Sequence, residues 1–318
     1  MATKPKYQTS KSGYIRYYEG NSPLVISVPH GGDLRPKELP QRTADPEIRS
    51  FCVDPDHNTI DLAEQLVQLL PQSSFVIALL ERTYCDFNRS SADAYPVDSD
   101  TRFAYEEYHG LIRQALDAAV NAFGFAILVD LHGQSHRPVT EIGYCVGKDT
   151  LLTDFMQPDR QVLNALTTTS LEPLRHRNKQ RLADLIKGPT SFGAILANHG
   201  FLSVPSPLLP HPEIHPHSDS SLPFSYQSKD GLFVSTISSS TTTTSTTTLD
   251  HHHSHNPFYS GGFTTRSYHS VSPCILVLQF ETARHLRHEP TITVQFCQSL
   301  AASFAVFLKV HFEYSADI

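Results

Sequence analysis

The chain has 318 residues, of which 39% are hydrophobic, and its formal net charge is −7 at pH 7. This length suits one large α/β domain or two smaller ones, and we expect a single domain over residues 1–318. The acidic balance and the lack of a long basic run argue against nucleic acid or an anionic membrane as the partner. A small-molecule or peptide-like substrate fits better.

Targeting and redox signals are weak in this sequence. The N-terminus lacks an apolar signal core, and no stretch of about 18 consecutive apolar residues occurs, so we expect a cytoplasmic protein with no membrane partner. The five cysteines show no CxxC spacing. That pattern fits neither a disulfide framework nor a zinc ribbon, and we expect reduced, mostly buried thiols.

Strand and helix patterns alternate along the chain. The predicted strands cover 24–29, 75–80, 125–131 and 274–280, and the predicted helices cover 59–70, 105–123 and about 294–310. The strands are continuous apolar runs, whereas the helices repeat apolar residues at a spacing of three and four. Such alternation predicts an α/β fold with a mainly parallel central sheet and helices on both faces.

One segment differs in composition from the rest. Residues from about 208 to 256 are rich in Pro, Ser, Thr and His, and we predict a disordered insertion because so few apolar side chains are available for burial. Histidines 251, 252, 253 and 255 lie within it. We interpret them as part of a solvated segment and leave them out of the candidate site.

Residues with metal-binding chemistry follow the predicted strands. His30 and His132 follow the first and third strands, Glu281 follows the fourth, and Asp56 precedes the first helix. Ligands bind at this edge of open α/β sheets. Catalytic zinc takes three protein ligands and keeps one position for water, so His30, Asp56 and His132 are candidate ligands. Glu281 is the candidate general base that would pass a proton to a leaving amine.

Each of these residues also has a plainer interpretation. A histidine after a strand is often a hydrogen-bonded turn residue. Asp56 would suit a helix N-terminus, where the backbone donors and the dipole favour an acid. Asp33, in the same turn as the first histidine, is the competing acidic ligand. Glu281 could pair with Arg284 or Arg287 on the next helix.

A short polar segment follows the second strand and holds Arg82, Asp86, Asn88 and Arg89. Arg266 stands in a second polar segment, after a glycine turn. Because guanidinium forks suit carboxylates, we interpret these five residues as a binding site for an acidic substrate, with Asp86 orienting an arginine. A structural ion-pair network between two loops is the alternative for Asp86.

Seven short motifs occur in a fixed order between about residues 24 and 290. They are PHGG, the acid before a helix at Asp56, RTYCDFNR, the Tyr108–His109 pair, VDLHG, GGFTTR and LQFE. In this order they resemble the N-formylglutamate amidohydrolases. The segment 191–207 suggests a divergent, eukaryotic-type member.

The resemblance implies a zinc-dependent amidohydrolase with a phosphorylase/hydrolase-like three-layer α/β fold, related to zinc carboxypeptidases. Such an enzyme cleaves N-formyl-L-glutamate to formate and glutamate. Related cell-wall amidases use a histidine, an acid before a helix, a second histidine and a late glutamate. That relation favours Asp56 over Asp33 as the acidic ligand.

We therefore expect a metal-dependent hydrolase of a linear amide C–N bond in an N-formyl or N-acyl amino acid. Its expected cofactor is Zn²⁺, and its expected partner is a small acidic N-acyl amino acid. The alternatives are a zinc peptidase or cell-wall-type amidase of the same superfamily, and a catalytically inactive binding module. Metal content and the effect of Glu281→Gln on hydrolysis distinguish the enzymes from the binding module.

Overall fold

A computed structural model describes residues 6–42, 54–96, 100–153, 167–213 and 257–315. Its strands are β1 (Gln8–Thr9), β2 (Ile15–Tyr18), β3 (Leu24–Val28), β4 (Ser74–Ala78), β5 (Ala126–Gln134), β6 (Thr140–Gly143), β7 (Ser203–Val204) and β8 (Ile275–Ala283). They form one sheet in the order β1-β2-β4-β3-β5-β8-β6-β7. The four predicted strands correspond to β3, β4, β5 and β8.

The centre of the sheet is parallel. Strands β4, β3, β5 and β8 run parallel to one another. The antiparallel neighbours β2 and β6 flank this group on its two sides. Strand β7 adds a parallel edge to β6, and β1 an antiparallel edge to β2. The prediction of an α/β fold with a mainly parallel central sheet is confirmed.

Helices cover both faces of the sheet. They are α1 (Thr59–Leu69), α2 (Thr101–Phe123), α3 (Lys148–Leu152), α4 (Glu172–Asn178), α5 (Leu182–Lys187), α6 (Phe192–Asn198), α7 (Phe263–His269), α8 (Arg284–His288) and α9 (Pro290–Phe312). One core packs α1, α4, α5, α6, α8 and α9 against one face. A smaller core packs α2 and α7 against the other face.

The two faces of the central strands differ in how far their apolar pattern extends. On the α1 side, β5 and β8 bury apolar side chains along almost their full length: Ile127, Val129, Leu131, Leu276, Leu278 and Phe280. On the α2 side, only the first half of each strand is apolar: Ala126, Leu128, Ile275 and Val277. The same face continues with Asp130 and His132 on β5 and with Gln279 and Glu281 on β8. The carboxyl-end edge of the sheet is therefore polar on one face.

Helix α9 is long and apolar enough, by length and composition, to cross a membrane. Half of its most apolar 18-residue stretch is buried in the fold. The buried residues Phe296, Leu300, Phe304 and Phe307 belong to the larger core, whereas Val306 and Val310 are exposed. This division between faces is that of a helix packed on a globular core.

The first residues of the predicted insertion are included in the structure. In the described range 208–213, Leu209 is buried and packs with Val139 and Val204. The remaining residues of the predicted insertion, 214–256, lie outside the described residues, and so do the four histidines of its His-rich tract.

Replacing Phe304 by Ala tests the packing of α9. Phe304 is 1% exposed and its ring lies 5.0 Å from that of Phe192 and 5.9 Å from that of Phe280, centroid to centroid. Loss of the ring leaves a cavity, so the free energy of unfolding is expected to fall by about 3–5 kcal/mol. Val306→Ala, on the exposed side of the same helix, is the control and should change it by at most about 0.5 kcal/mol. Urea unfolding measures both, and equal effects would contradict this packing.

Candidate functional site

His30, Asp56 and His132 come together at the polar edge of the sheet. Each offers one ligand atom, and these atoms all lie within 4.8 Å of one another. Oδ2 of Asp56 is 2.9 Å from Nδ1 of His132 and 3.5 Å from Nδ1 of His30. The carboxylate therefore stands between the two rings, whose centroids are 4.8 Å apart.

Three different elements supply these side chains. His30 lies two residues after β3, and Asp56 lies in the loop before α1, where its backbone N–H donates to the carbonyl of His30. His132 lies within β5, because that strand extends to Gln134 rather than ending near residue 131. The extension gives His132 a partner on the next strand, since it is in register with Glu281 of β8.

Two glycines allow the close approach of these elements. A Cβ on Gly31 would lie 2.4 Å from Oγ1 of Thr59, at the start of α1. A Cβ on Gly133 would lie 2.3 Å from Cζ of Arg287. The Arg287 guanidinium donates to the carbonyls of His57, Thr282 and Gln134. This arginine thus ties the loop of Asp56 to the ends of β5 and β8.

A second layer of carboxylates lies behind the histidines. Nε2 of His30 is 2.7 Å from Oδ1 of Asp86, and Nε2 of His132 is 2.9 Å from Oδ2 of Asp130. Both carboxylates are fully buried. Carboxylates in this position orient metal-binding histidines and raise their basicity. In both rings the outer carboxylate contacts Nε2, and Nδ1 faces Asp56.

The charges of the cluster are strongly coupled. Burial by itself would raise the pKa of Asp56, but its hydrogen bond with His132 and the nearby charge of His30 hold that pKa well below its usual range. Burial likewise opposes charge on His132, yet Asp130 and Asp56 raise its pKa well above the usual value. The cluster is an acidic centre that stabilises positive charge placed within it.

The residues fit a divalent metal ion. Nδ1 of His30 is buried and makes no hydrogen bond with the described residues, although buried polar atoms normally have a partner. Two imidazole nitrogens and one carboxylate oxygen are donors suited to zinc and similar transition metals. An ion held by His30, Asp56 and His132 would satisfy the unpartnered nitrogen and offset the buried negative charge.

Glu281 stands beside this cluster without belonging to it. It is 5% exposed, and its Oε1 accepts a hydrogen bond of 2.8 Å from Nε2 of Gln279. Burial raises the pKa of Glu281 to about 8, and the charges of Asp56 and Glu141 act in the same direction. A carboxyl group that takes up a proton near neutral pH is suited to general acid–base chemistry.

The segment after β4 forms the wall behind the histidines. Asp86 accepts hydrogen bonds from Nε and Nη2 of Arg82, at 3.0 and 2.9 Å, in addition to its contact with His30. Arg82 and Asp86 are both buried. Asn88 places its Nδ2 3.0 Å from Nε2 of His132. The structure therefore places Asp86 within the protein, where it orients His30 and Arg82.

The two remaining arginines are more accessible. The side chain of Arg89 is 25% exposed, and Arg266 is exposed on α7. Oδ1 of Asn88 accepts the backbone N–H of Thr264 at 2.8 Å, so the segments that carry Arg89 and Arg266 are in contact. Both arginines retain surface that could face a ligand.

Helix α2 supports the same segment from behind. The buried imidazole of His109 lies with Nε2 3.1 Å from the carbonyl of Phe87 and Nδ1 3.0 Å from the hydroxyl of Tyr268. Burial and Arg113 lower the pKa of His109 to about 4. Tyr105 donates to the carbonyl of Arg89. The Tyr108–His109 motif therefore supports the site from behind rather than forming part of it.

Three alternative interpretations of the sequence do not match the structure. Asp33 is exposed and lies outside the cluster. The N-cap residue of α1 is Asn58, and the carboxylate of Asp56 binds Gly133 N and His132. Within the described residues Glu281 forms no ion pair, while Arg287 binds backbone carbonyls.

Several site residues went unrecognised in the sequence. Asp130 receives a hydrogen bond of 2.7 Å from Oγ of Ser27 and backs His132. Gln279 donates a hydrogen bond to Glu281, and Glu141 on β6 lies opposite Glu281. A signal existed for Asp130 and Gln279, since each is a polar residue two positions before a candidate residue on a buried strand and therefore shares its face. Glu141 had none, because its strand was not predicted.

Comparisons with known proteins give low similarities. No protein-family model matches the sequence, and no curated protein is significantly similar to it. The fold is similar to N-formylglutamate amidohydrolase from Ralstonia eutropha JMP134, with 14% identity, a TM-score of 0.49, and coverage of 94% of this chain and 99% of that one. For a gene product of Agrobacterium tumefaciens the values are 13%, 0.49, 95% and 96%.

A metallo-carboxypeptidase from Pseudomonas aeruginosa is more distant, with 12% identity and a TM-score of 0.38. The similarity covers 97% of this chain and 64% of that one. At such values the likeness by itself says nothing about function. The functional interpretation therefore depends on the geometry of the site.

His132→Ala tests the metal cluster. The substitution removes one of three donors and is expected to abolish stoichiometric metal in the purified protein, because two remaining ligands hold a divalent ion weakly. Elemental analysis after dialysis measures this. The control is His176→Ala, which removes a histidine that is 73% exposed and, within the described part of the chain, pairs with Glu172. Full metal content in His132→Ala would remove His132 from the site.

Asp130→Asn tests the outer carboxylates. The amide keeps the shape of the side chain but removes the charge that orients His132, so metal affinity should fall roughly 10- to 100-fold. Competition with a chromophoric chelator measures the affinity. Asp117→Asn, on the outer surface of α2, is a matched control and should leave the affinity unchanged. An unchanged affinity in Asp130→Asn would show that this carboxylate serves the fold alone.

Proposed function

We propose that this protein is a metal-dependent amidohydrolase that cleaves the linear C–N bond of an N-formyl or N-acyl amino acid. The observation that carries the proposal is the placement of Glu281 in register with His132, next to the cluster of His30, Asp56 and His132. A metal site and a separate carboxyl group side by side are the components of metal-assisted hydrolysis. We propose Zn²⁺ as the ion, in keeping with the donor set.

His30, Asp56 and His132 would hold the ion. When bound, such an ion polarises a carbonyl oxygen and lowers the pKa of water to about 7. Glu281 then has the role of moving the proton: its carboxylate accepts a proton from water and delivers it to the leaving nitrogen. Gln279 holds one oxygen of Glu281 in place, which leaves the other for this exchange.

Asp86 and Asp130 maintain the orientation of the two rings. Each is fully buried and bonded at both oxygens, Asp86 to His30 and Arg82 and Asp130 to His132 and Ser27. Since these contacts prevent rotation of the carboxylates, the histidines keep Nδ1 directed at the centre of the cluster. This preorganisation lowers the cost of forming the metal site.

The accessible arginines support an acidic substrate such as N-formyl-L-glutamate. Its two carboxylates lose water on binding and need cationic partners, because a buried carboxylate without one costs several kcal/mol. Arg89 and Arg266 lie on two touching segments, and Asn88 links these segments to His132. We assign the substrate carboxylates to Arg89 and Arg266, and to Arg82 the support of Asp86.

Glu281→Gln tests the reaction. The purified protein is expected to contain one equivalent of zinc and to release formate from N-formyl-L-glutamate. Glu281→Gln should keep the metal and lose roughly 10²- to 10⁴-fold in turnover, the usual contribution of general acid–base catalysis. Glu106→Gln, at a carboxylate that is 54% exposed on α2, should match the wild type.

A screen over N-formyl and N-acyl amino acids identifies the preferred acyl group. Absence of metal and of hydrolysis in the wild type would favour a binding module. Unchanged hydrolysis in Glu281→Gln would remove that residue from the reaction.

Arg89→Lys and Arg266→Lys test the recognition of acidic substrates. Lysine keeps the charge but cannot form a bidentate contact, so kcat/KM should fall about tenfold or more, which corresponds to roughly 1.4 kcal/mol. The loss should be larger for acyl-glutamate than for acyl-leucine, and metal content should not change. Arg102→Lys, at a 67% exposed arginine, is the control. Equal losses on acidic and neutral substrates would make the two arginines structural.

A further inference from the structure

Gln279 joins Glu281 to the turn that begins α7. It lies two residues before Glu281 on β8, so both side chains project from the same face of the sheet, and it is 3% exposed. Its Nε2 donates to Oε1 of Glu281 at 2.8 Å. Its Oε1 accepts the backbone N–H of Gly262 and, at 3.3 Å, the hydroxyl of Thr265. One buried amide therefore bridges Glu281 and a segment from another part of the chain.

The contact with Gly262 determines which way the Gln279 amide points. A backbone N–H can only donate, so the atom of Gln279 that faces it is the carbonyl oxygen. The amino group then faces Glu281, and because this group also can only donate, Oε1 of Glu281 must accept. A proton carried by Glu281 therefore lies on its other oxygen, Oε2. The reversed amide would set the amino group against the Gly262 N–H, where two donors oppose each other.

Gly262 is itself held by its neighbours. It is the N-cap residue of α7, and its carbonyl accepts the backbone N–H of Arg266 at 3.2 Å. The backbone N–H of Thr264 donates to Oδ1 of Asn88 at 2.8 Å. A Cβ on Gly262 would lie 2.3 Å from Nδ2 of Asn88, so the close approach of these segments requires a glycine. The Gly262 N–H is thus a fixed donor for Gln279.

Glu281 needs such a partner. Within the described residues, Gln279 is the group that hydrogen-bonds to the Glu281 side chain. A glutamate has several rotatable bonds, and a proton-transfer group must stay within hydrogen-bond reach of the atoms that it serves. Holding one carboxyl oxygen restricts where the other can lie.

We propose that Gln279 is a positioning residue for the reaction: oriented by the Gly262 N–H, it holds Oε1 of Glu281 and directs proton transfer through Oε2. The inference rests on the proposed function and adds to it the group that places the proton-transfer residue. Because Gly262 and Arg266 share the first turn of α7, the segment assigned to the substrate carboxylate also sets the position of Glu281.

Gln279→Met tests this role on N-formyl-L-glutamate. Methionine is about as long as glutamine but cannot donate to Glu281, so kcat is expected to fall roughly 10- to 100-fold, as for the loss of a hydrogen bond to a charged group. KM should change by less than about twofold, because Arg266 keeps its contact with Gly262. Elemental analysis should show an unchanged metal content. Gln114→Met, at an exposed glutamine of α2, is the control and should match the wild type.

The same substitution in the Glu281→Gln background separates positioning from a general effect on the fold. The carboxyl group that Gln279 holds is absent there, so Gln279→Met should lower the residual turnover by less than about twofold. A loss of tenfold or more in both backgrounds would show that Gln279 does not act through Glu281 and would overturn the assignment. A rise in KM with unchanged kcat would also overturn it, since Gln279 would then serve substrate binding.

Gln279→Asn covers the case in which the methionine variant folds poorly. It retains the amide but is one methylene shorter, so it cannot keep both Gly262 and Glu281 at hydrogen-bond distance, and the same selective loss of kcat is expected. Urea unfolding and metal content establish that each variant is folded. Wild-type kcat in either folded variant would overturn the role of Gln279.

Failure of the proposed function gives a different result. A wild-type protein that hydrolyses neither N-formyl-L-glutamate nor any other N-acyl amino acid would overturn the proposed function, and with it this inference. Unchanged kcat in the Gln279 variants of an active enzyme would overturn this inference alone.

Discussion

Buried negative charge at one edge of the sheet is the constraint on which the rest of the site depends. Asp56 and Asp130 are 8% and 0% exposed and both contact His132, and Glu281, which is 5% exposed, stands beside them. Removing carboxylates from water without partners costs several kcal/mol for each. Asp86 and Glu141 are paired with Arg82 and Arg137, whereas Asp56 and Asp130 both contact His132. That excess of negative charge is what a divalent cation would offset.

The sheet can hold this concentration of charge because the two faces of its central strands differ. One face of β5 and β8 is apolar almost throughout, so the strands remain anchored on the core formed with α1 and α9. The other face is apolar only in its first half, where α2 and α7 pack. The stability of the sheet is thus supplied away from the reactive edge. Arg287 then joins the ends of β5 and β8 to the loop that carries Asp56.

The sequence identified the ligand candidates through a general property of parallel sheets. Apolar runs ended at His30, His132 and Glu281, and the carboxyl ends of parallel strands meet at one edge. It could not separate the residues around them into layers. Asp86 and Arg89 belong to one motif, yet the first is fully buried behind His30 and the second keeps a quarter of its side chain exposed. Asp86 is covered by its contacts with His30 and Arg82, and the first of these joins residues far apart in the chain.

By itself the sequence determined the four central strands, three of the helices, the mainly parallel α/β architecture and the positions of the candidate ligands, because these depend on local hydrophobic periodicity and on where each strand ends. Only the tertiary structure decided that Asp56 rather than Asp33 stands between the histidines, and that Asp130 and Asp86 lie behind them. It also placed Glu141 opposite Glu281, through a short antiparallel strand with no sequence signal. These contacts depend on strand register and on loop closure between residues far apart in the chain, and neither is written in the local pattern of residue types.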